Sequence, residues 1–367
     1  MKKVLLCSPY KGADVKNPGG IDIWAQNIYN YYKCVNTDVK LIVYPCNRSN
    51  YIHEITSKVT RAYYGIKDYI KILKGINSSI KKEKIDVVHI CSTSSWSLLK
   101  DMVAIREAHR NGAKAVVHFH FGRIPELSET KTWEWRLLNK VCSMADKVIV
   151  IDKFSYDTLI KYGYTNVVEI PNPLSPQVDQ YIKTHSKNIN RVSNRLLFVG
   201  RVFRKKGVYE LVEACKKVPN IELRIVGHVE ESVKNDLLSI ADNQPWLNIV
   251  GPVVLEDVIK ELLACDIFVF PTYTEGFPNG IIESMACSCP IIASGVGAIP
   301  EMLNEGVDSC GICIKPHSIE EITNAVNSLI GNENLKSELS KKAHDRIYSL
   351  YNIENVWRMF EQTWLEC

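Results

Sequence analysis

Two glutamates stand eight residues apart in Glu275-Gly276-Phe277-Pro278-Asn279-Gly280-Ile281-Ile282-Glu283. An apolar run ending at Pro271 precedes them. Glu275 therefore falls on a loop after a buried strand, and Glu283 in the first turns of a helix opening near Gly280. Carboxylates so placed accept hydrogen bonds from hydroxyls, one from a sugar and the other from a ribose diol. The free N–H groups of the helix start suit an anion. Cations come from a second segment, Gly200-Arg201-Val202-Phe203-Arg204-Lys205-Lys206-Gly207, directly after the strand 196–199. Arg201 offers a planar fork and Lys206 a point charge, a pair that can neutralise a diphosphate. Asn17-Pro18-Gly19-Gly20 opens the first helix, where paired glycines let a phosphate approach the backbone. In Val116-Val117-His118-Phe119-His120-Phe121-Gly122, alternation puts both histidines on one side, with His120 nearer the strand end. Each signal alone is common on surfaces, and it is their placement after apolar strands that sets them apart.

The elements that must position these groups follow from periodicity. Strands are expected at 4–8, 39–44, 86–91, 114–120, 147–151 and 167–170, with helices at 20–32, 95–110, 130–145 and 153–162. A second series opens at 196–200 and continues with strands at 221–226, 247–250, 267–270, 290–293 and 311–314. Helices are expected between them, with three more at the end of the chain. Such alternation implies βαβ units on parallel sheets. The two series are separated by Pro171-Asn172-Pro173-Leu174-Ser175-Pro176 and a polar stretch to about Asn194, which reads as a linker. Two doubly wound sheets place ligands at their strand carboxyl ends.

At 367 residues the chain exceeds what one core usually serves, so two domains are expected. No apolar run approaches the ~18–20 residues of a membrane span. The opening Met1-Lys2-Lys3-Val4-Leu5-Leu6-Cys7-Ser8-Pro9 reads as a strand rather than a leader, and a cytoplasmic protein is expected. Net charge is +4 overall, but residues 1–180 carry 26 basic and 17 acidic groups (net +9), and the rest 19 and 24 (net −5). Between 58 and 84, eight basic residues including Lys67, Lys71 and Lys74 interleave with Tyr63, Ile66 and Ile70, a pattern that suits an anionic membrane surface. Nucleic acid is not expected, because no binding motif accompanies the charge. Of the twelve cysteines, Cys287, Cys289, Cys310 and Cys313 have zinc-like spacing, but strand alternation turns Cys313 away from Cys310, and no metal is expected.

The Glu-x7-Glu element, the Gly-Arg…Lys-Gly loop, the amino-terminal Gly-Gly and Ala286-Cys287-Ser288-Cys289-Pro290 together resemble the family-4 (group 1) retaining glycosyltransferases. The resemblance implies an α/β GT-B fold, two Rossmann-like domains facing each other across a cleft. It places an acceptor-side domain at 1–175, completed by the final helix at 352–367, a linker at 176–194, and a nucleotide-sugar domain at 195–350. It implies that Glu275 contacts donor-sugar hydroxyls, Glu283 the ribose, and Arg201 and Lys206 the diphosphate. Backbone around Gly276, Phe277, Pro278 and Asn279 would line the pocket, Val253 would lie near the base, and Gly19 and Gly20 would meet the donor. His120 is favoured over His118 as the active-site histidine. The implied reaction is metal- and cofactor-independent transfer, with retention, of a hexose-type sugar from a UDP- or GDP-sugar. The implied acceptor is a saccharide or lipid-linked saccharide in surface-polysaccharide synthesis, at the inner face of the cell membrane. A catalytically silent nucleotide-sugar-binding partner is the alternative.

Overall fold

The computed structural model describes residues 1–10, 19–47 and 58–367. Asn17 and Pro18, and the side chains of Lys58 and Arg61, lie outside the described residues. The chain forms two compact units, 1–172 with 353–367, and 173–352.

In the first unit, six strands, β1 (Lys2–Ser8), β2 (Val39–Pro45), β3 (Val87–Ser92), β4 (Lys114–Phe119), β5 (Lys147–Val150) and β6 (Val167–Glu169), form a parallel sheet in the order β2-β1-β3-β4-β5-β6. Alternation along β1 sends Leu5 and Cys7 to one face and Val4 and Leu6 to the other. Both faces are covered, which is why the strands read as unbroken apolar runs. On the Leu5 face lie α2 (Lys58–Glu83), α3 (Ser97–Arg110) and α5 (Trp133–Met144), through Ile72, Ile76, Leu98, Ile105, Leu138 and Val141. A short α4 (Ile124–Thr130) precedes α5, and α6 (Lys153–Lys161) follows β5. The opposite face is covered by α1 (Gly20–Tyr32), through Trp24 and Ile28, and by the last helix of the chain, 353–366, through Trp357, Phe360 and Trp364. That helix buries three large aromatic residues almost completely, which fixes it to the first unit.

The second unit winds differently. Strands β7 (Arg195–Val199), β8 (Glu222–Val226), β9 (Leu247–Gly251), β10 (Ile267–Phe270), β11 (Ile291–Ser294) and β12 (Ile312–Ile314) pair in the order β12-β11-β10-β7-β8-β9. This is the dinucleotide-fold order, whose reversal falls between β7 and β10, whereas in the first sheet it falls between β1 and β3. The first half of the segment 176–194, expected to be a linker, is helical. Residues Pro176–His185 form α7, with Val178 and Ile182 buried. Pro176 occupies the first turn, where a missing N–H costs nothing, so the proline that reads as a breaker is a starter. The remaining helices are α8 (Val208–Cys215), α9 (Glu231–Ile240), α10 (Leu255–Ala264), α11 (Asn279–Ala286), α12 (Ile299–Met302), α13 (Ile319–Leu329) and α14 (Glu333–Leu350); the closing helix of the first unit is α15 (Ile353–Glu366).

Candidate functional site

In the second unit, the cationic loop leaves β7 and the Glu275 loop leaves β10, the neighbouring strands at the reversal of strand order. Gly207 has φ +69°, and a Cβ there would overlap the Pro271 carbonyl oxygen, so only glycine lets the loop lie against the end of β10. The Tyr273 N–H donates to the Lys205 carbonyl at 2.9 Å and ties the two loops together. Lys206 consequently pairs with Glu275, Nζ to Oε1, and the Thr272 hydroxyl donates to the same oxygen at 3.3 Å. Gly297 is a residue that spacing alone does not single out. It has φ +57°, a Cβ on it would overlap the Glu275 carbonyl, and the next amide, Ala298, donates to Gly276 O at 2.9 Å. The Glu275 loop is thus buttressed from β7 on one side and from the turn before α12 on the other. Arg201 is exposed and has no partner among the described residues.

Pro278 sits at the N-cap position of α11, and Asn279 opens the helix. The Phe277 ring is buried on Tyr351, centroids 5.5 Å apart, and Pro278 is buried too, so these two can meet a ligand only through backbone. Gly276 and Asn279 are half-buried at the helix start, where free N–H groups collect. Glu283 lies one turn into α11, half-buried, with no partner among the described residues. Burial without compensation pushes its carboxyl up to about 7. Val253 is half-buried just past β9.

The first unit places its candidates around a neutral cluster. His89 on β3 and His118 on β4 point to the α1 and α15 face, and both are fully buried. Trp364 Nε1 donates to His89 Nδ1 at 2.9 Å. An indole nitrogen can only donate, so His89 carries its proton on Nε2. That N–H faces His118 Nδ1 at 3.3 Å, which leaves the His118 proton on Nε2 in turn. Burial holds His89 and His120 near 3 and lowers His118 well below its ordinary value, so all three stay neutral. His120, half-buried at the end of β4, packs at a tilt against His118, ring centroids 3.8 Å apart, and meets the edge of Trp24 at 4.7 Å. His118 Nε2, His120 Nε2 and Trp24 Nε1 are buried with no protein partner among the described residues. The importance of His89 and Trp364 is invisible in local spacing, because Trp364 arrives from the far end of the chain.

Donor atoms of His89, Cys91 and His118 lie within 4.8 Å of one another. The chemistry does not fit a cation. The Trp364 N–H occupies the Nδ1 lone pair of His89, and the proton displaced to Nε2 occupies the lone pair that an ion would need. The four spaced cysteines do not gather among the described residues; Cys289 approaches Cys265 instead, with their sulfurs 3.7 Å apart. Gly19 takes the N-cap position of α1 and Gly20 its first turn. Both are exposed with open space at the Cβ position, so packing within the described residues does not demand glycine there.

The family model for group 1 glycosyl transferases matches residues 180–346, and that for glycosyltransferase family 4 matches residues 18–178. The capsular polysaccharide biosynthesis glycosyltransferase CapM of Staphylococcus aureus is 28% identical over 172 residues, 45% of this chain and 44% of CapM. The first curated relatives are matched over only about half of their own length. Among solved structures, sucrose-phosphate synthase from Thermosynechococcus elongatus superposes with a TM-score of 0.77 at 18% identity, over 100% of this chain and 99% of that one. Anabaena HepE in complex with UDP-glucose superposes with a TM-score of 0.69 at 16% identity, over 100% of both chains. These likenesses and the two parallel sheets give the GT-B fold. With both family models matching in tandem over nearly the whole of the chain, the protein belongs to the group 1 (family 4) glycosyltransferases.

Proposed function

We propose that this chain transfers a hexose-type sugar from a nucleotide-diphosphate sugar, UDP- or GDP-linked, to a saccharide or lipid-linked saccharide in surface-polysaccharide synthesis, with retention of configuration. The observation that carries the reading is the Lys206–Glu275 pair at the strand-order reversal, with the unpartnered Arg201 on the same loop as Lys206. In this reading the donor diphosphate replaces Glu275 as the main partner of Lys206, Arg201 takes a second phosphate edge, and Glu275 turns to the sugar hydroxyls. Glu283 accepts the ribose diol. Gly276, Phe277, Pro278 and Asn279 line the pocket with backbone, Val253 lies near the base, and Gly19 and Gly20 are proposed as donor-contacting residues. HepE with bound UDP-glucose and CapM, a capsule enzyme by name, support the donor class and the pathway class.

Transfer leaves negative charge on the departing diphosphate. Lys206, Arg201 and the start of α11 stabilise that charge as fixed groups, so the proposal assigns no divalent ion and no cofactor. The acceptor hydroxyl attacks on the face the leaving group departs from, and the leaving phosphate oxygen takes its proton. His120, neutral across the physiological range, serves as a hydrogen-bonding group rather than as a cation. The exposed face of α2, with Tyr63, Ile66 and Ile70 beside Lys67, Lys71 and Lys74, is proposed to rest on the anionic inner leaflet of a cell in which the enzyme is cytoplasmic. Changing the three lysines to glutamate should abolish pelleting with phosphatidylglycerol vesicles; unchanged pelleting removes the membrane from the proposal.

The decisive experiment is thermal protection by a panel of UDP- and GDP-sugars, followed by slow donor hydrolysis. A raised Tm with at least one donor, and release of its nucleoside diphosphate, is expected. No protection by any donor ends the reading. Protection with neither hydrolysis nor transfer to any acceptor favours the silent partner subunit.

A further inference from the structure

Two tryptophans on the first unit form an exposed stacked pair. Trp96 is 63% exposed and Trp133 46%, yet their rings lie 4.6 Å apart at 24°. Trp96 immediately precedes α3 and Trp133 opens α5, helices that run back along the sheet, so both sit at the carboxyl edge of the strands. Exposed indoles normally scatter; these are held. Ser95, next to Trp96, adopts φ +72°, a conformation a serine enters only under constraint. The constraint is Glu134, next to Trp133 and itself buried. Its Oε1 accepts the Ser95 N–H at 2.7 Å, the Ser95 hydroxyl at 3.3 Å, and Arg123 Nη2 at 3.3 Å. Arg123 also donates to Ser94 Oγ at 3.0 Å. One buried carboxylate therefore ties together the two loops that carry the tryptophans, at the cost of backbone strain.

A fold that strains a serine to keep two indoles parallel in water is building a platform. The electron-rich face of an indole attracts the polarised C–H bonds on the flat side of a pyranose ring. The surroundings select among sugars. Lys131 and Arg136 are exposed, Arg136 one turn along α5 from Trp133, and Arg123 is half-buried, while Glu134 beside Trp133 is buried and already engaged. We propose that Trp96 and Trp133 form a subsite for an anionic saccharide, one sugar ring lying on the indole surface and its carboxylate or phosphate group meeting Arg123. The proposal rests on the glycosyltransferase reading, in which this subsite holds the acceptor remote from the transferred sugar.

The test uses the full chain, with trigalacturonate as the anionic probe and maltotriose as the neutral one. Binding is read from tryptophan fluorescence and from the exciton couplet that a stacked indole pair adds to the far-ultraviolet circular dichroism. Saturable binding of trigalacturonate that perturbs the couplet is expected. Trp96→Ala and Trp133→Ala should each weaken it at least tenfold, and Trp96→Phe should restore most of it. Arg123→Gln should lower the preference for trigalacturonate over maltotriose at least fivefold. Thermal protection by a nucleotide sugar should be unchanged in all four variants, which also shows that they are folded. The proposal is overturned if neither saccharide binds saturably, if the alanine variants bind as the parent does, or if only phosphatidylglycerol vesicles move the tryptophan signal. Loss of nucleotide-sugar protection in the parent would instead sink the functional reading, while saccharide binding would still report on the platform.

Discussion

The two sheets meet their candidate ligands with opposite chemistry. At the end of β7 and β10, charge does the work: Lys206 against Glu275, Arg201 exposed, and Glu283 half-buried and uncompensated. At the end of β3 and β4, charge is excluded. Three histidines are held neutral by burial, and the protons of His89 and His118 are directed by the indole N–H of Trp364. Both windings reverse strand order next to their site, so the fold explains where the sites lie but not why they differ. The difference follows from what covers each sheet. In the first unit, α1 and α15 bring Trp24, Phe360 and Trp364 onto the histidines. In the second, two glycine-containing loops bring a lysine to a glutamate. A group meant to hold a diphosphate must be charged before the ligand arrives; one meant to hydrogen-bond a hydroxyl works best neutral and in one tautomer.

The comparison breaks most visibly at Lys206. Replacing it with alanine strips the second unit of a fixed cation that the fold has already oriented, and leaves Glu275 without its partner. Loss of one such charge-stabilising donor typically costs about 10²–10³-fold in turnover. We expect Lys206→Ala to fall in that range for donor hydrolysis, with nucleotide-diphosphate binding weakened and the histidine cluster undisturbed. Parental hydrolysis by this variant would remove the charged half of the contrast.

A smaller effect is expected in the neutral half. Trp364→Phe keeps the packing of α15 but removes the N–H that fixes His89. Leaving one buried nitrogen without its donor costs about 1–3 kcal/mol. The nitrogen chemical shifts of His89 should change from one pure tautomer to a mixture, while nucleotide binding at the second unit stays as in the parent. The pH response follows from the same cluster. The folded histidines titrate far below 6.5 and the unfolded ones near it, so the unfolded chain binds more protons as pH falls. Stability present above about pH 6.5 is therefore lost on acidification, at up to about 1.4 kcal/mol per pH unit for each histidine. A flat stability profile between pH 6.5 and 5 would mean that the histidines are not held neutral.

Much of this was legible in residue order, for reasons that also mark where legibility stops. Strands buried on both faces read as apolar runs, and the sharp turns at Gly207 and in the Glu275 loop announced themselves through glycine and proline. Lys206 and Glu275 could be named from the loops they stand on. That they pair could not, because the approach depends on Gly207 passing the Pro271 carbonyl and on Gly297 supporting Glu275 from a third loop. The helix at the start of the expected linker is not legible because a proline in the first turn of a helix looks, one residue at a time, like one that ends it. The pairing of His89 with Trp364 has no local signal, since the partners lie 275 positions apart and only the return of α15 joins them.

Glu283 sharpens the comparison with the smallest effect, since it is a charged-site residue in a nearly neutral-site environment. Burial raises its carboxyl from 4.5 to about 7. The folded chain thus keeps this proton to higher pH than the unfolded chain does, and stability from this group is greatest below about pH 4.5 and declines as pH rises towards 7. A ribose diol offers hydroxyl donors, which favour the ionised carboxylate. Nucleotide binding should therefore strengthen as pH rises through about 7, and binding just below that pH should release a proton. Calorimetry in two buffers of different ionisation enthalpy measures the release directly. Glu283→Gln should abolish it and weaken nucleotide binding roughly tenfold, the equivalent of about 1.4 kcal/mol for hydrogen bonds to a charged group. Equal proton release in the parent and the glutamine variant would show that the diol is held elsewhere, and Glu283 would then belong with the neutral, structural side of the contrast.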